Sequence, residues 1–186
     1  MAKKSKFDSN FKKKKNDFYR TVDDNAFYAL DNILPIGTKF AEPCAGYGDL
    51  IKGFENLGHY CTYASDLVIR RKTPDYINYL DAFDLKPKHV RKCDFIITNP
   101  PFTRSVLHEL IRHFVTLKPT WLLFESDWAH TKQSIDLMND YGQAIVSVGR
   151  LKWFKNTKSK SLKDFSWYLF TEKKRNPIKF IPPARF

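Results

Sequence analysis

Residues 94–98, Asp-Phe-Ile-Ile-Thr, are a short run dominated by Phe and β-branched side chains, and they lead directly into Asn99-Pro100-Pro101-Phe102. A strand of that composition is apolar on both faces, so it belongs inside a parallel sheet with helices packed on either side. The two prolines end it abruptly, because neither has an N–H to donate and Pro100 keeps Asn99 out of helical geometry. The rest of the chain has to supply flanking strands and two helical layers.

The sequence supplies them in alternation. Ala26, Phe27, Ala29, Leu30, Ile33 and Leu34 fall at helical spacing, and Pro35 and Gly37 end that pattern. Residues 38–41 read as a strand, 42–48 as a glycine-containing turn, 49–57 as a helix closed by Gly58, and 60–65 as a second strand ending at Asp66. Beyond the proline tetrad, Val106, Leu107, Leu110, Ile111, Phe114 and Leu117 share one face of a helix over 105–117, and 121–124 reads as the next strand. Residues 144–151 and 165–171 are strand-like runs joined by a polar, Lys-rich connection without helical pattern, which predicts a hairpin at the sheet edge. The pattern as a whole predicts a doubly wound α/β fold. No internal repeat or long Gly, Ser or Pro linker divides it, so 17–186 reads as a single domain after a basic tail, 1–16, expected to be disordered.

The net charge of +12 is unevenly placed. Residues 1–20 hold eight Lys or Arg against two Asp, and residues 150–175 hold nine against two acids, whereas 21–149 is formally −3. Basic flanks around a mildly acidic centre point to a polyanion as partner. The candidate contacts are Lys12, Lys13, Lys14 and Lys15 in the tail and Arg150, Lys152, Trp153, Lys155, Lys158, Lys160 and Lys163 in the later segment. Apolar runs are too short to cross a bilayer, and the Lys-rich start lacks a following apolar segment, so a cytoplasmic protein is expected. Cys44, Cys61 and Cys93 form no CxxC pair, and His108 and His113 lie five apart on one helix, so no metal site is expected.

In an open α/β sheet, ligands collect at the carboxyl ends of the strands. Three such places carry chemistry. In Glu42-Pro43-Cys44-Ala45-Gly46-Tyr47-Gly48, the glycines permit a sharp turn close to a ligand, but Ile51 stands where a dinucleotide fingerprint needs its third glycine. An acid at the strand end followed by a glycine turn suits a ligand with a cationic amino-acid portion. Asp66, with Leu67 after it, lies twenty residues beyond Gly46, a spacing at which an acid meets ribose hydroxyls. The third place is Asn99-Pro100-Pro101-Phe102, a rigid polar tetrad. An exocyclic amine on a nucleobase is a poor nucleophile because its lone pair is delocalised into the ring. If the Asn99 side-chain oxygen and the Pro100 carbonyl each accept one N–H, the nitrogen is drawn toward tetrahedral geometry and its lone pair is aimed at an electrophile. Phe102 would stack on a base flipped out of its duplex. Ser126, Asp127 and Trp128 also follow a strand, and are expected as pocket wall beside that base. No nucleophile elbow occurs in the chain.

With these motifs in this order, residues 17–171 resemble the amino-methyltransferase group of the class I, Rossmann-like S-adenosylmethionine-dependent methyltransferases. Small phage and restriction-type adenine-N6 DNA methyltransferases look most similar. The resemblance implies a mostly parallel seven-stranded sheet with a terminal antiparallel hairpin, and S-adenosyl-L-methionine as cofactor. It assigns cofactor binding to Tyr19 and Thr21 in a closing segment, to Glu42, Pro43, Cys44, Ala45, Gly46 and Gly48 in the turn, to Asp66 and Leu67, to Asp81 and Ala82 near the adenine, and to Asn99. Asn99, Pro100, Pro101 and Phe102 would hold the target amine. The implied substrate is DNA, with RNA the near alternative; similar tetrads in relatives act on cytosine N4 or protein glutamine. A non-catalytic nucleic-acid-binding module is the different class, against which two intact motifs argue. Many DNA-specific members carry a long recognition domain, whereas only about fifteen residues follow the last strand read here. Sequence recognition is therefore expected either from short loops, 129–141 or 150–164, or to be lax.

Overall fold

The computed structural model describes residues 18–154, 159–173 and 177–183. In chain order the elements are α1 (Asp24–Asp31), β1 (Lys39–Glu42), α2 (Asp49–Glu55), β2 (Tyr60–Asp66), β3 (Asn78–Tyr79), α3 (Pro87–Val90), β4 (Phe95–Thr98), α4 (Arg104–Val115), β5 (Thr120–Glu125), α5 (Ile135–Asp140), β6 (Gly142–Gly149), β7 (Phe165–Phe170) and β8 (Lys179–Ile181). The eight strands form one sheet in the order β3-β2-β1-β4-β5-β7-β6-β8. Only β7 runs against its neighbours.

Side chains alternate across this sheet with the two-residue period of a strand. Phe40, Ile97, Trp121, Leu123, Val146 and Trp167 point to one face and pack with Leu30 of α1 and Leu50, Ile51 and Phe54 of α2. Ile96, Leu122, Phe124, Tyr168 and Phe170 point to the other and pack with Leu107, Leu110, Ile111 and Phe114 of α4 and Leu137 of α5. Trp167 is fully buried, and its indole N–H donates to the Ala26 carbonyl at 2.7 Å, tying α1 to the sheet.

One sequence expectation is corrected: the sheet has eight strands rather than seven, because Lys179–Ile181 adds a short strand parallel to β6. The antiparallel β6–β7 hairpin stands at that end of the sheet as expected, with β7 between β5 and β6, pairing Trp121 with Leu169 on one side and Val146 with Trp167 on the other, and only the short β8 beyond β6. Phe165, Ser166, Trp167, Tyr168 and Phe170 are all buried, so β7 is apolar toward both helical layers and belongs in the sheet interior.

The topology brings the ends of β1, β2, β4 and β5 to one edge, so the turn after Glu42, Asp66, the Asn99 tetrad and Ser126 share it. Because β6 ends and β7 starts at that same edge, with Phe165 opposite both Glu125 and Gly149, the two ends of the basic connection 150–164 are anchored there too. Among the described residues, no helix is long and apolar enough to cross a membrane. No group of three metal-ligating side chains occurs among them.

Candidate active site

Gly46 and Gly48 have φ of +56° and +73°, the left-handed region that a side chain disfavours. At Gly46 a Cβ would also lie 2.6 Å from the Phe18 ring. The turn is held from β2: the Gly46 N–H donates to Asp66 Oδ2 and the Val68 N–H to Asp66 Oδ1, both at 2.8 Å. Oδ2 keeps a further lone pair for a ligand hydroxyl, whereas Oδ1 also faces Arg70 Nη1 at 3.4 Å.

The turn, Asp66–Val68, Asp81–Phe83, Asn99 and Pro101 surround a cavity of about 320 Å³, residues 18–21 form another part of its wall, and Val106 and Leu110 of α4 also line it. Of the residues singled out from sequence, the structure brings together Tyr19, Thr21, Glu42, Pro43, Cys44, Ala45, Gly46, Asp66, Leu67, Asp81, Ala82, Asn99 and Pro101. Gly48, the N-cap of α2, and Pro100, which is buried, are not among the lining residues. Asp81 caps the short 3-10 turn Ala82–Asp84 by accepting from the Phe83 N–H at 3.0 Å, which leaves Phe83 in the cavity wall.

Two buried acceptors in this wall have no partner. Glu42 is 2% exposed and its Oε2 makes no hydrogen bond. Burial, reinforced by the charges of Asp66 and Asp49, pushes its carboxyl well above the usual carboxylate range. Asn99 Oδ1 is also buried and unpaired. The nitrogen of the same amide is anchored, donating to the Tyr19 carbonyl at 2.9 Å and to Thr21 Oγ1 at 3.1 Å.

Sequence reasoning missed the charges that hold residues 18–21 in place. The Arg20 guanidinium meets the Asp49 carboxylate through two bonds of 2.6 Å, a bidentate pair that raises the Arg20 pKa. Arg70 lies 3.9 Å over the Phe18 ring and 3.4 Å from Asp66 Oδ1. The nearest signal was an acid directly after the second glycine, with an arginine beside Tyr19.

Several site expectations change. Trp153, expected to meet nucleic acid, is 6% exposed and packs edge-on to Phe165 at 4.8 Å. Phe102, expected to stack on a base, already stacks on Tyr19 at 5.4 Å and 15°, with Trp153 and Phe165 against it. Ser126, Asp127 and Trp128 do not line the cavity. Ser126 shares a hydrogen bond with Ser166, Asp127 accepts from Lys163, and Trp128 is fully buried with its indole donating to His108. Lys152 and Lys160 are exposed, Arg150 faces Asp164 at 3.9 Å, and Lys163 bridges Glu125 and Asp127 at 2.8 Å each. Lys12, Lys13, Lys14, Lys15, Lys155 and Lys158, like the tail 1–16, lie outside the described residues. Burial raises all three thiols, Cys61 to about 12 and Cys93 to about 11.

This architecture is the class I methyltransferase fold. No protein-family profile and no curated protein matches the chain. Among solved structures, it is similar to a Listeria monocytogenes protein named as a class I S-adenosylmethionine-dependent methyltransferase, at 9% identity and TM-score 0.58, over 89% of this chain and 66% of that one. A Pyrococcus horikoshii protein named as an RNA methyltransferase superposes with TM-score 0.53 at 13% identity, covering 79% and 81% of the two chains. The E. cuniculi Mtq2–Trm112 complex, responsible for methylating the eRF1 translation termination factor, gives 0.53 at 16% identity, covering 80% and 92%. At these identities the likeness establishes the fold.

Proposed function

We propose that the chain is an S-adenosylmethionine-dependent methyltransferase acting on the N6 amine of adenine in nucleic acid, with DNA as the substrate. The observation that carries this reading is Asn99: its nitrogen is anchored, and its oxygen is buried, unpaired and at the carboxyl end of a central strand beside a small-molecule cavity. A cavity of about 320 Å³ falls within the roughly 300–1,000 Å³ of small-molecule sites.

The residues fit the cofactor chemically. Glu42, buried with an unpaired oxygen, suits the cationic ammonium of an amino acid, and the open backbone at Gly46 lets a ligand approach closely. Asp66 Oδ2, with one partner, has a lone pair left for a ribose hydroxyl, and Asp81 and Phe83 suit an adenine. S-adenosylmethionine supplies a methyl group on a positively charged sulfur, which departs as a neutral thioether. The chain's part is to make the amine nucleophilic. Asn99 Oδ1 accepts one N–H of the target amine and the Pro100 carbonyl the other. The nitrogen lone pair then forms the new N–C bond, and the extra proton leaves to water at the cavity mouth. A neutral acceptor pair suffices, because the nitrogen loses its proton only as it becomes cationic.

Nucleic acid is favoured over a protein glutamine by the basic connection 150–164, which holds six Lys or Arg against one Asp and rises from the same edge as the cavity. Transfer of labelled methyl from S-adenosylmethionine to unmethylated DNA, total RNA and protein, run in parallel, tests the reading. N6-methyladenine should form in DNA, and Asn99→Ala should reduce the rate by about 10²–10³-fold, as for loss of one preorganised polar group in an active site. Label in RNA or protein would keep the chemistry and replace the substrate; bound cofactor with no transfer to any of the three would overturn the reading.

A further inference from the structure

An asparagine amide can present either its oxygen or its nitrogen to a cavity by a half-turn about its last torsion, and the two forms have nearly the same shape. Only the oxygen can accept from an amine. Something must therefore select one orientation of Asn99, and the reading above depends on it.

We propose that residues 18–21 form a strap that makes this selection, with Thr21 as a positioning residue acting through Asn99. The Tyr19 carbonyl can only accept a hydrogen bond, so the Asn99 group facing it at 2.9 Å has to be Nδ2. Thr21, 5% exposed, takes the second proton of the same nitrogen at 3.1 Å. Both amide protons are thereby used on the strap, and the oxygen is left unpaired. A half-turn would set Oδ1 against the Tyr19 carbonyl, two acceptors with no proton between them in a buried place, disfavoured by about ten-fold or more.

The strap is keyed to the other half of the cavity as well. Arg20 pairs with Asp49, the first residue of α2 after the glycine turn. Phe18 lies under Arg70, which reaches Asp66. Tyr19 stacks on Phe102. One four-residue segment thus touches the turn proposed for the cofactor and the amide proposed for the substrate. Covering the first and orienting the second are one event, so the amine meets an oriented acceptor only when the strap is seated over the cofactor.

The test compares Thr21→Val, which keeps the shape and removes the acceptor, with Thr21→Ser, which keeps the acceptor and gives up only a methyl group. Thr21→Val should lower kcat by about ten-fold with KM for S-adenosylmethionine within about three-fold, and Thr21→Ser should recover most of the loss. In the ligand-free protein, the 15N-labelled side-chain amide of Asn99, assigned by its disappearance in Asn99→Asp, should show two protected protons in the wild type and one fast-exchanging proton in Thr21→Val. Asn99→Asp should be active only in its protonated form, since the protonated acid can donate to the Tyr19 carbonyl, so its rate should fall as pH rises where the wild type is level. Unchanged kcat in Thr21→Val, a change in KM alone, or failure of Thr21→Ser to recover activity would each overturn the strap's role. Wild-type protein inactive on every substrate would sink the proposed reaction instead, and this inference with it; an active wild type with an indifferent Thr21→Val sinks only the inference.

Discussion

Glu42 carries its negative charge at a cost, being 2% exposed, with one oxygen unpaired and Asp66 and Asp49 nearby. Its pKa in the folded protein is raised, so its favourable contribution to stability is complete below the ordinary carboxylate range and is lost as pH rises through the folded value. Glu42→Gln should therefore gain melting temperature relative to wild type on the alkaline side of that range, measured by thermal unfolding across pH. Ligand binding should move the opposite way. A cationic ammonium beside Glu42 favours the ionised form, so wild-type affinity for S-adenosylmethionine should rise with pH and binding should release a proton, seen by calorimetry in buffers of different ionisation enthalpy. Glu42→Gln should bind more weakly by ~1.5–3 kcal/mol and lose that pH dependence. Equal affinity in the two proteins would remove Glu42 from the ligand's contacts.

Single residues were also the scale at which the sequence spoke most clearly. Gly46, Asp66 and Asn99 were legible because each follows a strand and each has a local reason to be there: a positive φ, a spacing from the glycines, a proline behind it. Thr21, Arg20 and Arg70 act through partners distant along the chain, 78 residues for Thr21 with Asn99 and 29 for Arg20 with Asp49. Local pattern holds no trace of such pairs. Trp153 was misassigned because an indole between lysines reads equally as a base-stacking group or as a core anchor, and only the neighbouring Phe102 and Phe165 decide it.

Among the elements, α4, the end of β5 and the basic connection meet at Glu125. Its Oε2 accepts from Arg104 at 3.3 Å and from Lys163 at 2.8 Å, while Lys163 also reaches Asp127. These groups are a quarter to more than a half exposed, so each pair contributes only about 0–1 kcal/mol to stability. Their effect on charge placement is larger: Lys163, its pKa raised by both carboxylates, is held on the protein's own acids. Glu125→Gln should loosen that hold and let Lys163 reach phosphate. DNA affinity, followed by fluorescence anisotropy, should rise, and the slope of log K against log salt should steepen by about 0.9. A slope equal to wild type would mean that Lys163 never meets the polyanion. The hairpin itself was legible, as two strand-like runs joined by a polar connection; that β7 rather than β6 pairs with β5 was not, because it follows from the two-sided burial of β7. The two-residue β3, the six-residue α5 and the three-residue β8 are too short to carry a period.

For the molecule as a whole, the asymmetry of charge becomes a geometry. The mildly acidic centre of the sequence forms most of the sheet and its helices, and the segment with six bases leaves it at the edge where the cavity opens. Reversing Lys152 and Lys160 together, both exposed, should weaken DNA binding without regard to sequence and flatten the salt slope by about 1.8 if both meet phosphates. Cofactor affinity should be unaltered, because neither residue lines the cavity. An unchanged slope would place the polyanion elsewhere on the surface.

The insertion of β7 between β5 and β6 also sets an order of assembly. Among the described residues, β6 pairs only with β7 and β8, both later in the chain. As the chain is synthesised, β3, β2, β1, β4 and β5 can associate as they emerge, but β6 must wait for residues 165–170 before any ladder exists for it to join. The growing sheet meanwhile exposes the open edge of β5, bearing Trp121, Leu123 and Phe124, until β7 arrives to cover it. During the interval between the synthesis of β5 and that of β7, the edge of β5 is therefore open to mispairing.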